Sequence, residues 1–134
     1  MKPPRVRANL PARPKAAWRQ ALGGQAFREG HGAEWIAAAW LMLKGYQILG
    51  FRLRTRGVEI DILARQGKTA VVVEVKHRTT IEAALSALDR IQLQRLRDAG
   101  AALLRQRPSL AGLQLRIDIV ALAPGRIPRH RRNL

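Results

Sequence analysis

The chain contains no cysteine. Disulfides, thiolate zinc sites and a cysteine nucleophile are therefore excluded, and a cytoplasmic protein is the expectation. Acids are scarce: 9 Asp+Glu stand against 25 Lys+Arg, a formal net charge of +16. Such an imbalance points to a polyanionic partner: DNA, RNA or an anionic membrane surface. Codon bias would explain why Arg outnumbers Lys, but not why acids are rare. No apolar run approaches the roughly 20 residues that a bilayer crossing needs. The basic N-terminus lacks the apolar stretch of a secretory signal. Aromatics make up only 4%, yet 47% of residues are hydrophobic, and the length of 134 residues suits one domain with a real core.

Residues 1–28 carry no acid and are broken by Pro3, Pro4, Pro11 and Pro14. A flexible basic arm is expected there, with the folded domain over residues 29–134. Glu29 to Lys44 is rich in Ala, Leu and Met and predicts a largely buried helix ended by Gly45. "YQILGFRLR", "VEIDILAR" and "TAVVVEVK" predict three strands, with turns at Arg56-Gly57 and Gly67-Lys68. The second turn has the Gly-X form of a type II′ hairpin. Thr79 to Gln106 predicts a helix in two pieces broken near Asp89, burying Leu88, Ile91, Leu96 and Leu103, and stopped by Pro108. Leu113 to Leu122 predicts a fourth, central strand, parallel to its neighbour through the helical crossover. The tail "APGRIPRHRRNL" reads as basic turns. The expected fold is α/β: a mixed four-stranded sheet flanked by helices, in the order α-β-β-β-α-β.

Three of the few acids, Glu59, Asp61 and Glu74, fall in this most apolar stretch. With Gly67-Lys68 as the loop, paired residues sum to 135, so Asp61 faces Glu74 and Glu59 faces Lys76. Side chains alternate along a strand, which gives one face Glu59, Asp61, Leu63, Val72, Glu74 and Lys76. The other face carries Ile60, Ile62, Ala64, Val71, Val73 and Val75 and reads as core. Directly opposed carboxylates repel unless something lies between them. A divalent cation is one remedy, and Lys76 is another. The plainer reading is a solvated strand face with a Glu59–Lys76 cross-strand pair. Glu34 is the other misplaced acid. It tends toward the apolar side of its helix, although the N-terminal end of a helix favours a carboxylate in any case.

An Asp, then Glu-x-Lys on the next strand, with a Glu on the preceding helix, resembles the PD-(D/E)xK nuclease superfamily. More closely, the chain resembles the YraN-like family of restriction-endonuclease-like proteins. The resemblance runs from about Gly30 to Asn133 and rests on "AEWIAAAWLMLKGYQIL", "VEIDILAR", "VVVEVKHR", "RIDIVALAP" and the closing "RHRRN". It implies a restriction-endonuclease-like core and Mg²⁺- or Mn²⁺-dependent phosphodiester hydrolysis. Asp61 and Glu74 would hold the metal, Glu34 would complete its shell, and Lys76 would orient water and stabilise developing charge. Gln92 occupies the place of a Gln or Lys in the next helix. Val58 stands where the family commonly has Gly, and Arg90-Ile91-Gln92 departs from its Pro-Arg-Lys or Pro-Arg-Gln. Proteins of this fold often act as dimers, so a homodimer is an open expectation.

Arg52, Arg54, Arg56 and Arg78 flank the acid face and are candidates for steering a phosphate backbone, with Arg95, Arg97, Arg105 and Arg107 adding charge on the following helix. His31, His77 and His130 lack metal-ligand spacing. Trp35 and Trp40 read as core, Trp18 as a free aromatic, and Asp118 as a structural partner of Arg116. The leading expectation is therefore a nucleic-acid-binding, metal-dependent nuclease, acting on DNA before RNA. The alternatives are a binding module that keeps the fold without turnover, and an adaptor that binds through its basic arm.

Overall fold

The computed structural model describes residues 32–134. The proposed basic arm, Trp18 and His31 lie outside these residues. Helix α1 spans Gly32–Leu43. Three strands follow, β1 Gln47–Thr55, β2 Val58–Gln66 and β3 Thr69–His77. Then come α2 Ile81–Leu85, α3 Arg90–Gln106, a 3-10 turn Pro108–Leu110, β4 Gln114–Leu122 and β5 Arg129–Arg131. The sheet order is β1-β2-β3-β4-β5. All neighbours run antiparallel except β3 and β4, which the α2–α3 crossover makes parallel.

Local chemistry accounts for the punctuation. Arg56 and Gly57 both have positive φ, which a type I′ hairpin requires. At the next turn only Gly67 does, as in type II′, and Gln66 pairs with Thr69 across it. The helical stretch breaks before Asp89, which caps α3: its side chain accepts the Gln92 N–H at 2.8 Å, while the Gln92 side chain accepts the Asp89 N–H at 3.2 Å.

The sheet carries core on both faces. On one side Ala37, Ala38 and Leu41 of α1 pack on Ile62, Ala64, Val71, Val73 and Val120. On the other, Leu96, Ala99 and Leu103 of α3 pack on Leu63, Val72 and Ile117. The acid-bearing face is thus not a solvated strand face: Leu63 and Val72, which share it, are fully buried under α3. Gly100 lets α3 come this close, because a Cβ there would lie 2.9 Å from Leu115 Cδ1 and 3.1 Å from Val72 Cγ2.

Three expectations need correction. The sheet has five strands, not four, because the basic tail supplies β5 as a partner of β4. Ile91 does not join the core: it lies at the first turn of α3, before the helix reaches the sheet, and is 66% exposed. Trp35 and Trp40 are half-buried rather than interior, Trp35 resting on Phe51 with ring centroids 4.8 Å apart. Among the described residues no helix is long and apolar enough to cross a membrane.

Candidate functional site

The register deduced from the hairpin holds for Gln66↔Thr69 through Ile62↔Val73 and then stops. Beyond that point β2 stays with β1 as far as Val58, while β3 stays with β4 as far as His77. The sheet forks, and Asp61 and Glu74 stand at the root of the fork. The Asp61 carboxylate takes over part of the lost ladder, accepting the Val75 N–H at 2.8 Å.

A distortion in β1 and β2 aims Asp61 there. Ile62 belongs to the core under α1, but Ile60, two residues away, belongs to the core under α3. A regular strand would put both on one face. Their partners in β1 repeat the switch: Phe51 packs on the α1 side and Leu53 on the α3 side. Arg52 lies between them with φ 54°, a left-handed conformation unusual for a side chain larger than glycine. Both strands therefore twist about the Arg52–Asp61 row, which swings the Asp61 carboxylate toward β3. Such irregularities re-aim side chains at the cost of ladder hydrogen bonds.

The two carboxyls are electrostatically crowded. Burial pushes Asp61 up from its usual range, although the Val75 N–H, Glu74 and nearby Lys76 oppose the rise. Burial and the neighbouring Asp61 push Glu74 up to about 7, against the pull of Lys76. The two acids lie close enough to perturb each other, and the Asp61 charge adds to the rise of Glu74. Lys76 Nζ lies 3.1 Å from Glu74 Oε2, and both side chains are largely buried. The lysine thus pairs with the acid two positions earlier on its own strand, not with Glu59 across the hairpin. Glu59 is exposed and registers with Arg54 on β1.

The other nominated residues fall into place around this pair. Glu34, in the first turn of α1, accepts a 3.1 Å hydrogen bond from Arg52 Nε. Among the described residues, no three Asp, Glu or His side chains converge as a metal-holding group. Gln92 and Glu74 line one cleft of about 230 Å³, together with Glu59, Leu88 and Arg95. A second hollow of about 320 Å³ shares Gly57, Val58 and Arg95 with it and adds Arg56 and Asp98. Arg54 is exposed on β1, and Arg78 is exposed just past β3, where its guanidinium donates to the His77 carbonyl.

A second polar cluster lies on the α1 side of the sheet. Asp118 is fully buried. Arg116 donates to both of its oxygens at 2.9 Å, His130 Nε2 lies 2.7 Å from Oδ2, and the Asn133 N–H donates to Oδ1 at 3.0 Å. Arg116 also donates to the Tyr46 hydroxyl at 2.6 Å, and Lys44 Nζ lies 2.7 Å from His130 Nδ1. Lys44 can only donate, so His130 accepts at Nδ1 and donates from Nε2. Burial alone would raise Asp118, but the hydrogen bonds from His130 and Arg116 outweigh it and hold the carboxyl below its usual range. The sequence signalled the Arg116–Asp118 pair by spacing. His130 and Asn133 gave no such signal, since their tail reads as turns until β5 is seen.

The family model described as "Uncharacterised protein family UPF0102" matches residues 33–122. A UPF0102 protein of Caulobacter vibrioides (strain NA1000 / CB15N) is 55% identical over 115 residues, covering 86% of this chain and 92% of its own. One from Caulobacter sp. (strain K31) is 52% identical over 124 residues, covering 92% and 89%. One from Maricaulis maris (strain MCS10) is 45% identical over 108 residues, covering 81% and 85%.

Proposed function

Because the chain belongs to the UPF0102 family, the YraN-like group that its motifs resemble, we propose that it binds nucleic acid, DNA before RNA, and hydrolyses phosphodiester bonds with Mg²⁺ or Mn²⁺. One observation carries the reading: two half-buried carboxyls, Asp61 and Glu74, stand together where β2 parts from β3, with Asp61 hydrogen-bonded to the backbone next to Glu74. A purely structural sheet has no use for that repulsion. Hard divalent cations take carboxylate oxygens, and Mg²⁺ needs only one or two of them. Two such oxygen donors stand together at Asp61 and Glu74, and among the described residues no third acid or histidine converges on them. Asp61 and Glu74 would hold the ion, and Glu34 would add a third oxygen by exchanging Arg52 for it. When bound, the cation would offset phosphate charge and lower the pKa of water.

The protein's own groups have separable tasks. Lys76 presents an ammonium beside Glu74 and supplies a donor for a phosphate oxygen or an attacking water. Gln92 offers its amide NH₂ to the same cleft, since its carbonyl oxygen is spent on the α3 cap. Arg56 and Arg95 line the adjoining hollow and would neutralise flanking phosphates, and Arg52, Arg54 and Arg78 extend this positive surround. The protein would act in the cytoplasm, and a homodimer would let two such sites cut two strands.

The test is cleavage of single-stranded, duplex, flap and branched DNA and of RNA, with Mg²⁺ and with Mn²⁺, by the wild type and by Glu74→Ala and Lys76→Ala. Cleavage by the wild type that both variants lose is the expected result. Binding without cleavage by the wild type would favour the second reading, a nucleic-acid-binding module that keeps the fold without turnover.

A further inference from the structure

The fifth strand assigns a sheet face to two arginines of a tail that reads as basic turns. Paired residues in a sheet point to the same face. Arg131 pairs with Ile119, and Ile119 pairs with Glu74. Arg129 pairs with Ala121, and Ala121 pairs with Lys76. Arg131 and Arg129 therefore share the face of Glu74 and Lys76, two strands away, or about 10 Å at the usual strand spacing, with α2 packed over the buried Ala121 between them. His130, between them, points to the opposite face and is anchored on Asp118.

Both arginines are exposed, and neither takes part in an ion pair among the described residues. Their backbone is nonetheless firmly held. His130 and the Asn133 N–H bind Asp118, the Leu134 N–H donates to the Ile117 carbonyl at 2.8 Å, and Arg97 Nη2 donates to the Leu134 carbonyl. A short edge strand with basic side chains deters sheet-to-sheet pairing, and that alone could explain one arginine. It does not explain why a buried Asp118 network fixes the register of two. Fixed, unpaired guanidinium groups recognise phosphate, and Arg suits that geometry better than Lys.

We propose that β5 is a phosphate-binding rail: Arg129 and Arg131 grip the backbone of a nucleic-acid strand that passes α2 on its way to Glu74 and Lys76. This rests on the nucleic-acid part of the functional reading, but not on catalysis. The Asp118 network then has a task beyond stability, since it sets where those two cations stand.

The experiment measures binding of a short labelled DNA duplex, and separately of anionic phospholipid vesicles, to the full-length protein against salt concentration, for wild type, Arg129→Ala/Arg131→Ala and Lys68→Ala. Each lost phosphate contact lowers the slope of log K against log salt by about 0.9. The double variant is expected to lose between about one and two units of slope, with its circular dichroism unchanged. Lys68, exposed in the β2–β3 turn six residues before Glu74 and so about 20 Å away along β3, should leave the slope as it is. An unchanged slope in the double variant, or an equal per-residue loss in Lys68→Ala, overturns the rail. So does a double variant that loses binding only to vesicles of anionic phospholipid, which would make β5 a membrane contact. A wild type that binds duplex through β5 but never cleaves it removes the nuclease reading and leaves the rail standing. A wild type that binds no nucleic acid removes both.

Discussion

Asp61 and Asp118 are side chains of one sheet in opposite circumstances. Asp118 sits under α1 with each oxygen taking two hydrogen bonds, from Arg116 on both, from His130 on one and from the Asn133 backbone on the other. Its charge is welcome there, and its carboxyl lies below the usual range. Asp61 sits at the fork with a second acid, Glu74, beside it and one backbone N–H as hydrogen-bond donor. Both acids of that pair titrate high. A structural carboxylate is saturated by its partners, whereas Asp61 and Glu74 are held together in spite of each other. Groups so perturbed, in a cleft, mark functional sites more often than structural ones.

The sharpest way to break the contrast is Asp118→Ala. It strands Arg116 and His130 in the interior and should cost about 3–5 kcal/mol of stability, read by urea denaturation. A loss below about 1 kcal/mol would erase the distinction drawn here. Glu74→Gln should do the reverse. Without metal it relieves repulsion, so the melting temperature should hold or rise, while Mn²⁺ binding followed by calorimetry should disappear. A collapse in melting temperature would mean that the acid is structural after all.

The pH dependence should have opposite signs at the two sites. Glu74 rises from 4.5 to about 7 on folding, so the native state binds the extra proton. Its favourable contribution is complete below about pH 4.5 and fades as pH climbs to about 7. Asp118 moves down from 3.8, so its contribution is present above that value and disappears as pH falls through its lower native pKa. Urea midpoints of the metal-free protein across pH 4–8 should therefore decline with rising pH, and Glu74→Gln should flatten that decline. The smallest effect concerns the backbone twist. Arg52→Gly relieves a positive φ that Arg52→Ala keeps, while both lose the Glu34 ion pair. The glycine variant should be the more stable of the two by about 1 kcal/mol. Equal stabilities would mean that the left-handed turn at Arg52 stores no strain.

Much of this was legible in the chain. A two-residue loop at Gly67-Lys68 sets the hairpin register as far as Ile62↔Val73, one row short of Asp61 and Glu74. The break before α3 was legible as well, since an Asp three residues ahead of a Gln is a capping pattern. The partner of Lys76 was not. Cross-strand pairing predicted Glu59, but the fork pulls β2 away from β3 at that level and leaves the lysine beside Glu74. Ile91 misled for a related reason: helical periodicity assigns a side, but not how far along the helix the sheet lies beneath it.

The sequence by itself determined the elements, their order, the parallel β3–β4 crossover and the family, because turns, caps and alternation act over a few residues. Only the tertiary structure decided that the tail adds a fifth strand, that the acid face is roofed by α3, and that Asp118 gathers Arg116, His130 and Asn133 around it. Those outcomes depend on which distant segments compete for the same edge, face or buried charge. That competition is settled by burial and hydrogen bonding across the whole sheet, and a local pattern carries no record of it.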